Sequence, residues 1–202
     1  MTLQIDSSSF HSLLNNQAGI GQYSKNIVKN INQSLTTPSR SGALHITRAH
    51  NANRKAVSLE DRLYESRAFC KTKMAEVAMY LPSDWRSRFF SQLDNLMDID
   101  NWEEDDSPIT AASFTTLLRM LLLIWPVRRP GLGATSKGHI IATWTAENDR
   151  LTIECLPKDN VRWVLSRYIE GNRESAAGEI SVTRLLAVLS PYDPKCWFAD
   201  GP

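Results

Sequence analysis

The sequence predicts an α+β fold: an antiparallel β-meander covered by helices, with an N-terminal helical segment. Three observations predict it. Residues 138–168 alternate apolar and polar side chains through three consecutive stretches separated by turn residues. The stretch at 108–125 is apolar on nearly every side in its second half, as a centrally packed helix is. Upstream of it, apolar residues recur at helical spacing between start and stop signals.

The elements follow in chain order. Tyr23, Ile27, Val28, Ile31 and Leu35 fall at helical spacing and predict an amphipathic helix over 22–35. Phe10, Leu13 and Leu14 add a short helical turn before Gly19 and Gly21. Residues 36–57, which include Thr36-Thr37-Pro38-Ser39-Arg40-Ser41-Gly42, read as a linker or a mobile loop. Ser58 then caps a helix, and Asp61 three residues on gives a shortened capping box. Leu59, Leu63, Cys70, Met74, Val77 and Leu81 form its stripe, and Pro82 ends it. Ser83 or Asp84 caps the next helix, with Trp85, Phe89, Leu93 and Leu96 or Met97 inside.

An acidic loop comes next. Ser107-Pro108 then reads as a helix start, Ser at the N-cap and Pro at the first helical position, where its missing N–H is harmless. Ile109, Ser113, Leu117, Met120 and Ile124 make one line of this helix; Phe114, Leu118, Leu121 and Trp125 make another.

In the meander the inward set is Ile140, Ala142 and Trp144, then Leu151, Ile153 and Cys155, then Val161, Trp163 and Leu165. The outward set is Ile141, Thr143 and Thr145, then Thr152 and Glu154, then Arg162, Val164, Ser166 and Tyr168. That outward face is short of charge for a solvated sheet, so a partner or another segment of the chain should touch it. A last helix over 181–190 takes Ser181 as cap and Val182, Leu185, Leu186 and Leu189 as its face, and Pro191 stops it.

Three regions emerge: a polar, basic, partly ordered arm at 1–57, a helical segment at 58–100 and an α+β core at 101–202. At 202 residues and 42% apolar content, with six Trp, the chain is long and apolar enough to bury a core. A net charge of +1 excludes global attraction to nucleic acid or membrane. The charges are nevertheless segregated. The arm carries Lys25, Lys29, Arg40, Arg48, Arg54 and Lys55 against Asp6, whereas residues 94–106 carry seven carboxylates and no cation. Met1-Thr2-Leu3-Gln4-Ile5-Asp6 lacks the basic and apolar regions of a secretory signal, and three scattered cysteines suit a reducing compartment; a cytoplasmic protein is expected. The most apolar run contains Arg119 and stops at Pro126, so it reads as a buried helix and not a membrane span.

Motifs for chemistry are sparse. Asp98, Asp100, Trp102, Glu103, Glu104, Asp105 and Asp106 form an acidic candidate docking surface, and their spacing is not that of an EF-hand. Arg128, Arg129 and Lys137, with Gly131, Gly133 and Gly138 between and after them, form a candidate anion or nucleic-acid contact. Arg40, Arg48, Arg54 and Lys55 in the arm would add to it. There is no Walker A order and no Gly-x-Ser-x-Gly elbow, and no His pairs with Cys at zinc spacing; no cofactor or metal is expected. His139 opens a strand with no readable partner, and Cys155 points inward as a structural thiol.

From about residue 100 onward the chain resembles a loose group of uncharacterised bacterial proteins. The residues that carry the likeness are Trp102-Glu103, Pro108-Ile109, Arg129-Pro130, Gly138-His139-Ile140, Trp144 and Leu151-Thr152-Ile153-Glu154. The group usually shows Trp-Asp-Gly at the first point, where this chain has Trp102-Glu103-Glu104. The resemblance implies an accessory protein of mobile or defence-type gene neighbourhoods and brings no ligand site with it.

The leading expectation is a non-enzymatic bacterial protein-interaction subunit: an adaptor, an antitoxin-like protein or a component of a defence complex. It would bind a protein through the acidic loop, the arm, or the sheet face bearing Thr143, Thr145, Thr152, Arg162 and Tyr168. A nucleic-acid-binding protein using the arm and the Arg128–Lys137 loop is the alternative. A metal-dependent nuclease using Glu154 or the acidic cluster is the second.

Overall fold

The computed structural model describes residues 57–199. The helix expected over 22–35, the linker before Val57, and Arg40, Arg48, Arg54 and Lys55 lie outside the described residues.

The fold is α+β. Helices α1 (Leu59–Val77), α2 (Trp85–Leu96) and α3 (Ala111–Ile124) precede five strands. These are β1 (Gly131–Ala134), β2 (Ile140–Ala146), β3 (Asp149–Cys155), β4 (Asn160–Ile169) and β5 (Asn172–Ser181). All neighbours are antiparallel and the spatial order is the chain order, so the sheet is a pure meander. Two short helices, α4 (Leu185–Leu189) and α5 (Lys195–Phe198), close the described chain.

Helix α1 begins as its sequence dictates. Ser58 Oγ accepts from Asp61 N at 3.1 Å and donates to the Asp61 carboxylate at 2.9 Å. Leu63, Cys70, Met74 and Val77 are buried along it, then a 3₁₀ turn leads to Pro82. In α2 the buried line is Trp85, Phe89 and Leu93, with Met97 beyond its end. Asp84 occupies the N-cap, but its carboxylate pairs with Arg88 at 2.8 Å and caps nothing. α1 and α2 pack on each other; α1 also lies on α3 and α2 on β1, so the helical segment shares the core with the sheet.

Helix α3 starts later than expected. Ser107 N donates to Ser136 O and Thr110 N donates to Gly138 O, both at 2.9 Å. These bonds hold 107–110 extended alongside the 135–138 turn. Helix geometry begins only where the Thr110 hydroxyl accepts from Ser113 N at 3.3 Å, so the cap is Thr110 and not Ser107. The helix ends at Ile124, with Trp125 in the left-handed region before Pro126.

The inner face of the sheet holds the nine residues that alternation assigned to it, every one buried. Against them α3 buries Phe114, Leu117, Leu118, Met120 and Leu121. Its two buried hydroxyls tie it to the strands. Ser113 Oγ accepts from Ile140 N at 2.8 Å and donates to Cys155 O at 2.6 Å; Thr116 Oγ1 donates to Leu156 O at 2.7 Å. Arg119 reaches both carboxylate oxygens of Asp159, at 2.6 and 2.7 Å.

Two strands had no sequence signal. β1 is Gly-Leu-Gly-Ala, too short and too glycine-rich to show alternation. β5, an edge strand, mixes Ala176, Gly178 and Ile180 with Asn172 and Glu174 on its inner side and so shows no clear alternation. The helix expected over 181–190 is also broken. β5 runs to Ser181, Val182 N is held by Asp159 O at 2.8 Å, and a 3₁₀ turn therefore precedes the single turn of α4. Val182, Leu185 and Leu189 are buried as expected, whereas Leu186 is exposed. Ser181 Oγ meets Thr183 Oγ1 and makes no cap.

Candidate functional site

The outer face of the sheet is built by the strand register. Side chains alternate along each strand and residues directly opposite share a face, so the face can be read in rows. The central row crosses all five strands: Gly131, Thr143, Thr152, Val164 and Ala177. At about 4.8 Å between strands it spans about 19 Å. Nothing in it carries charge. Val164 is 47% exposed, and farther along β4 Tyr168 is 51% exposed. The helices pack against the inner side and leave this row uncovered among the described residues.

On one side lies the row Gly133, Ile141, Glu154, Arg162 and Glu179. Its charges are spent on one another. Glu154 Oε1 meets His139 Nδ1 at 2.7 Å and Glu154 Oε2 accepts from Arg162 at 3.0 Å; Arg162 also donates to Glu179 at 3.2 Å. His139 and Glu154 are both half-buried. On the other side lie Thr145, Arg150, Ser166 and Ser175. The face is thus an uncharged band between a row whose charges pair with one another and a row that holds the exposed Arg150. Sequence reasoning placed Glu154 and Arg162 outward but missed the chain from His139 to Glu179. His139 and Glu154 are brought together only by the β2–β3 register, and Glu179 sits on a strand with no signal.

The acidic residues divide. Asp98, Asp100, Glu103, Glu104 and Asp105 are exposed; Trp102 and Asp106 are half-buried. Several of the group hold the loop in shape. Asp98 Oδ1 accepts from Asp100 N at 3.3 Å, and Asp106 Oδ2 accepts from Glu103 N at 2.9 Å. Trp102 Nε1 donates to Leu96 O at 2.7 Å, and Arg62 donates to the carbonyls of Glu104 and Asp106. Among the described residues no group of three or more His, Cys, Asp or Glu side chains is placed to hold a metal ion.

The Arg128–Lys137 stretch does not converge on an anion. Arg128 donates to Thr145 O at 3.1 Å and to Cys196 O at 3.2 Å, while Arg129 lies over the Phe89 ring at 5.9 Å. Burial holds the Arg129 pKa below its ordinary value, with Arg88 adding to the effect. Gly131 and Gly133 belong to β1. Arg128 sits at the Thr145 end of β2 and Lys137 in the turn at its Ile140 end, so about 17 Å of strand separates them.

The thiols are poor nucleophiles. Burial pushes the Cys70 thiol up to about 12, and burial followed by the neighbouring Glu154 charge pushes Cys155 higher. Cys196 is raised too, chiefly by burial. A raised thiol pKa means less thiolate, so native protein at pH 8 should resist iodoacetamide at Cys70 and Cys155. Any labelling seen by mass spectrometry should fall on Cys196, the least buried; rapid labelling of Cys155 would contradict the packing.

No helix among the described residues is long and apolar enough to cross a membrane. Comparison with family models, with curated proteins and with solved structures found no match to this chain.

Proposed function

We propose that this chain is a protein-interaction subunit, an adaptor or antitoxin-like component of a bacterial accessory or defence complex, and that it binds its protein partner through the outer face of the sheet. The observation that supports this reading is the uncharged row Thr143–Thr152–Val164–Ala177 on an uncovered face. A sheet face that meets only water is polar, whereas Val164 and Ala177 put exposed apolar side chains in the middle of this one. On the Glu154 side the nearest charges pair with one another, which lowers the cost of covering them, and on the other side only the charge of Arg150 stands in the adjacent row. The acidic loop is the weaker candidate because Asp98 and Asp106 already serve its own backbone.

The test is affinity capture of the full chain from its native cells, with Val164→Asp and Thr152→Lys as face variants. Both positions project from the sheet, so folding should survive and the thermal midpoint should stay within a few degrees. A specific co-purifying protein should be captured by the wild type and lost with either variant. Recovery of the chain alone would overturn the reading, as would loss of the partner only with Asp100, Glu103 and Glu104 replaced.

A further inference from the structure

We infer that two copies of this chain pair through the free edge of β5, joining their meanders into one continuous ten-stranded sheet. The two edges of the sheet differ. β1 offers four residues and has α2 packed against it, whereas β5 offers ten residues, Asn172–Ser181. Both backbone sides of β5 must be accounted for. The β4–β5 hairpin turns through Glu170 at φ 51° and Gly171 at φ 83°, with Ile169 opposite Asn172. That two-residue turn makes Ile169 and Asn172 a hydrogen-bonded pair, and pairs alternate from there. Residues 172, 174, 176, 178 and 180 therefore bond to β4. The N–H and C=O groups of Arg173, Ser175, Ala177 and Glu179 point to the other edge, which no strand of the described residues pairs.

The edge is complementary to itself in one register. A two-fold axis at Ala176 sets Arg173 opposite Glu179 of the second copy, twice by symmetry, and Ser175 opposite Ala177. All of these residues present backbone groups to the edge, as an antiparallel pair requires. Arg173 and Glu179 share the outer face, so the two new ion pairs lie side by side with the existing Arg162–Glu179 bond. No like charges oppose one another, and the middle of the interface is small: Ser175, Ala176 and Ala177.

A second observation favours the same register. The Trp163 indole N–H is buried and has no acceptor among the described residues, and it lies 3.0 Å from where a Cβ on Gly178 would stand. Gly178 is opposite Trp163 on the inner face. With the axis at Ala176, the residue that faces Gly178 across the new ladder is Glu174 of the second copy. Its carboxylate is thereby brought beside a buried donor that lacks a partner among the described residues. The pairing buries less than the standard interface of about 1,600 Å², so the dimer should be reversible and micromolar.

Sedimentation equilibrium of the full chain from about 1 to 300 µM tests this. The wild type should pass from monomer to dimer over that range. Arg173→Glu and Glu179→Arg should each weaken the dimer about tenfold, since each replaces two attractions by two repulsions. An equimolar mixture of the two variants restores both pairs and should dimerise like the wild type. Should Glu179→Arg lose its fold with the Arg162 bond, Ser175→Pro removes an edge-facing N–H without touching the β4 ladder and should give a monomer. A wild type that stays monomeric throughout, or dimers indifferent to these changes, would overturn the inference. Because Val164→Asp and Thr152→Lys leave the β5 edge intact, failure of partner capture and failure of self-pairing are separately readable.

Discussion

Gly138→Ala is expected to lower the unfolding free energy by about 3–5 kcal/mol, the sum of a left-handed backbone cost and a steric clash. Gly138 sits at φ 75°, and a Cβ there would stand 2.4 Å from Pro108 O and 3.1 Å from Ser107 O. Both neighbours are main chain and cannot swing away. The clash also strains the Ser107–Ser136 and Thr110–Gly138 bonds that hold the start of α3 against the turn. Gly171→Ala is the control. Its φ is 83°, yet nothing lies within 4 Å, so only the backbone cost of about 1–2 kcal/mol should appear. Urea unfolding of both variants separates the two terms. Equal losses would mean that the 107–110 segment yields to accommodate the methyl group.

Ser113→Ala is expected to cost about 2–6 kcal/mol, because it orphans two buried backbone groups at about 1–3 kcal/mol each. The hydroxyl uses its donor on Cys155 O and an acceptor lone pair on Ile140 N, and the side chain is fully buried. Alanine fills nearly the same space, so the loss reports hydrogen bonding and not packing. Amide exchange at Ile140 should accelerate more than at Ile153, which lies between two ladders. Thr115→Ala, at a half-buried position of α3 whose hydroxyl only bonds back to Ala111 O, should cost well under half as much as Ser113→Ala. A near-neutral Ser113→Ala would show that water replaces the hydroxyl.

Both sites show how differently the parts of this chain can be read. Ser113 is legible as a small residue in an apolar stripe, and its burial follows from helical spacing. Its partners lie 27 and 42 residues away, so the bridge it makes has no local trace. Gly138 reads equally well as part of an anion loop. Its actual role depends on Pro108, which the fold brings against it. Arg128 and Arg129 are similar: the residue types suit an anion, but the structure commits one to carbonyls and stacks the other on Phe89.

Local periodicity determined what it physically controls. Period-two alternation assigned all nine inner-face residues of β2, β3 and β4, because burial on one face of a sheet enforces it. Ser58 and the stripes of α1 and α2 were fixed by capping and by helical repeat. Tertiary structure alone decided the rest. Strands β1 and β5 exist because a neighbour offers a ladder, and their glycine or polar residues carry no pattern of their own. The outer-face rows, the His139–Glu154–Arg162–Glu179 chain and the charges set out along the free edge of β5 arise from register. Register is a relation between distant segments, fixed when the inner face is buried, so no single stretch of the sequence displays it.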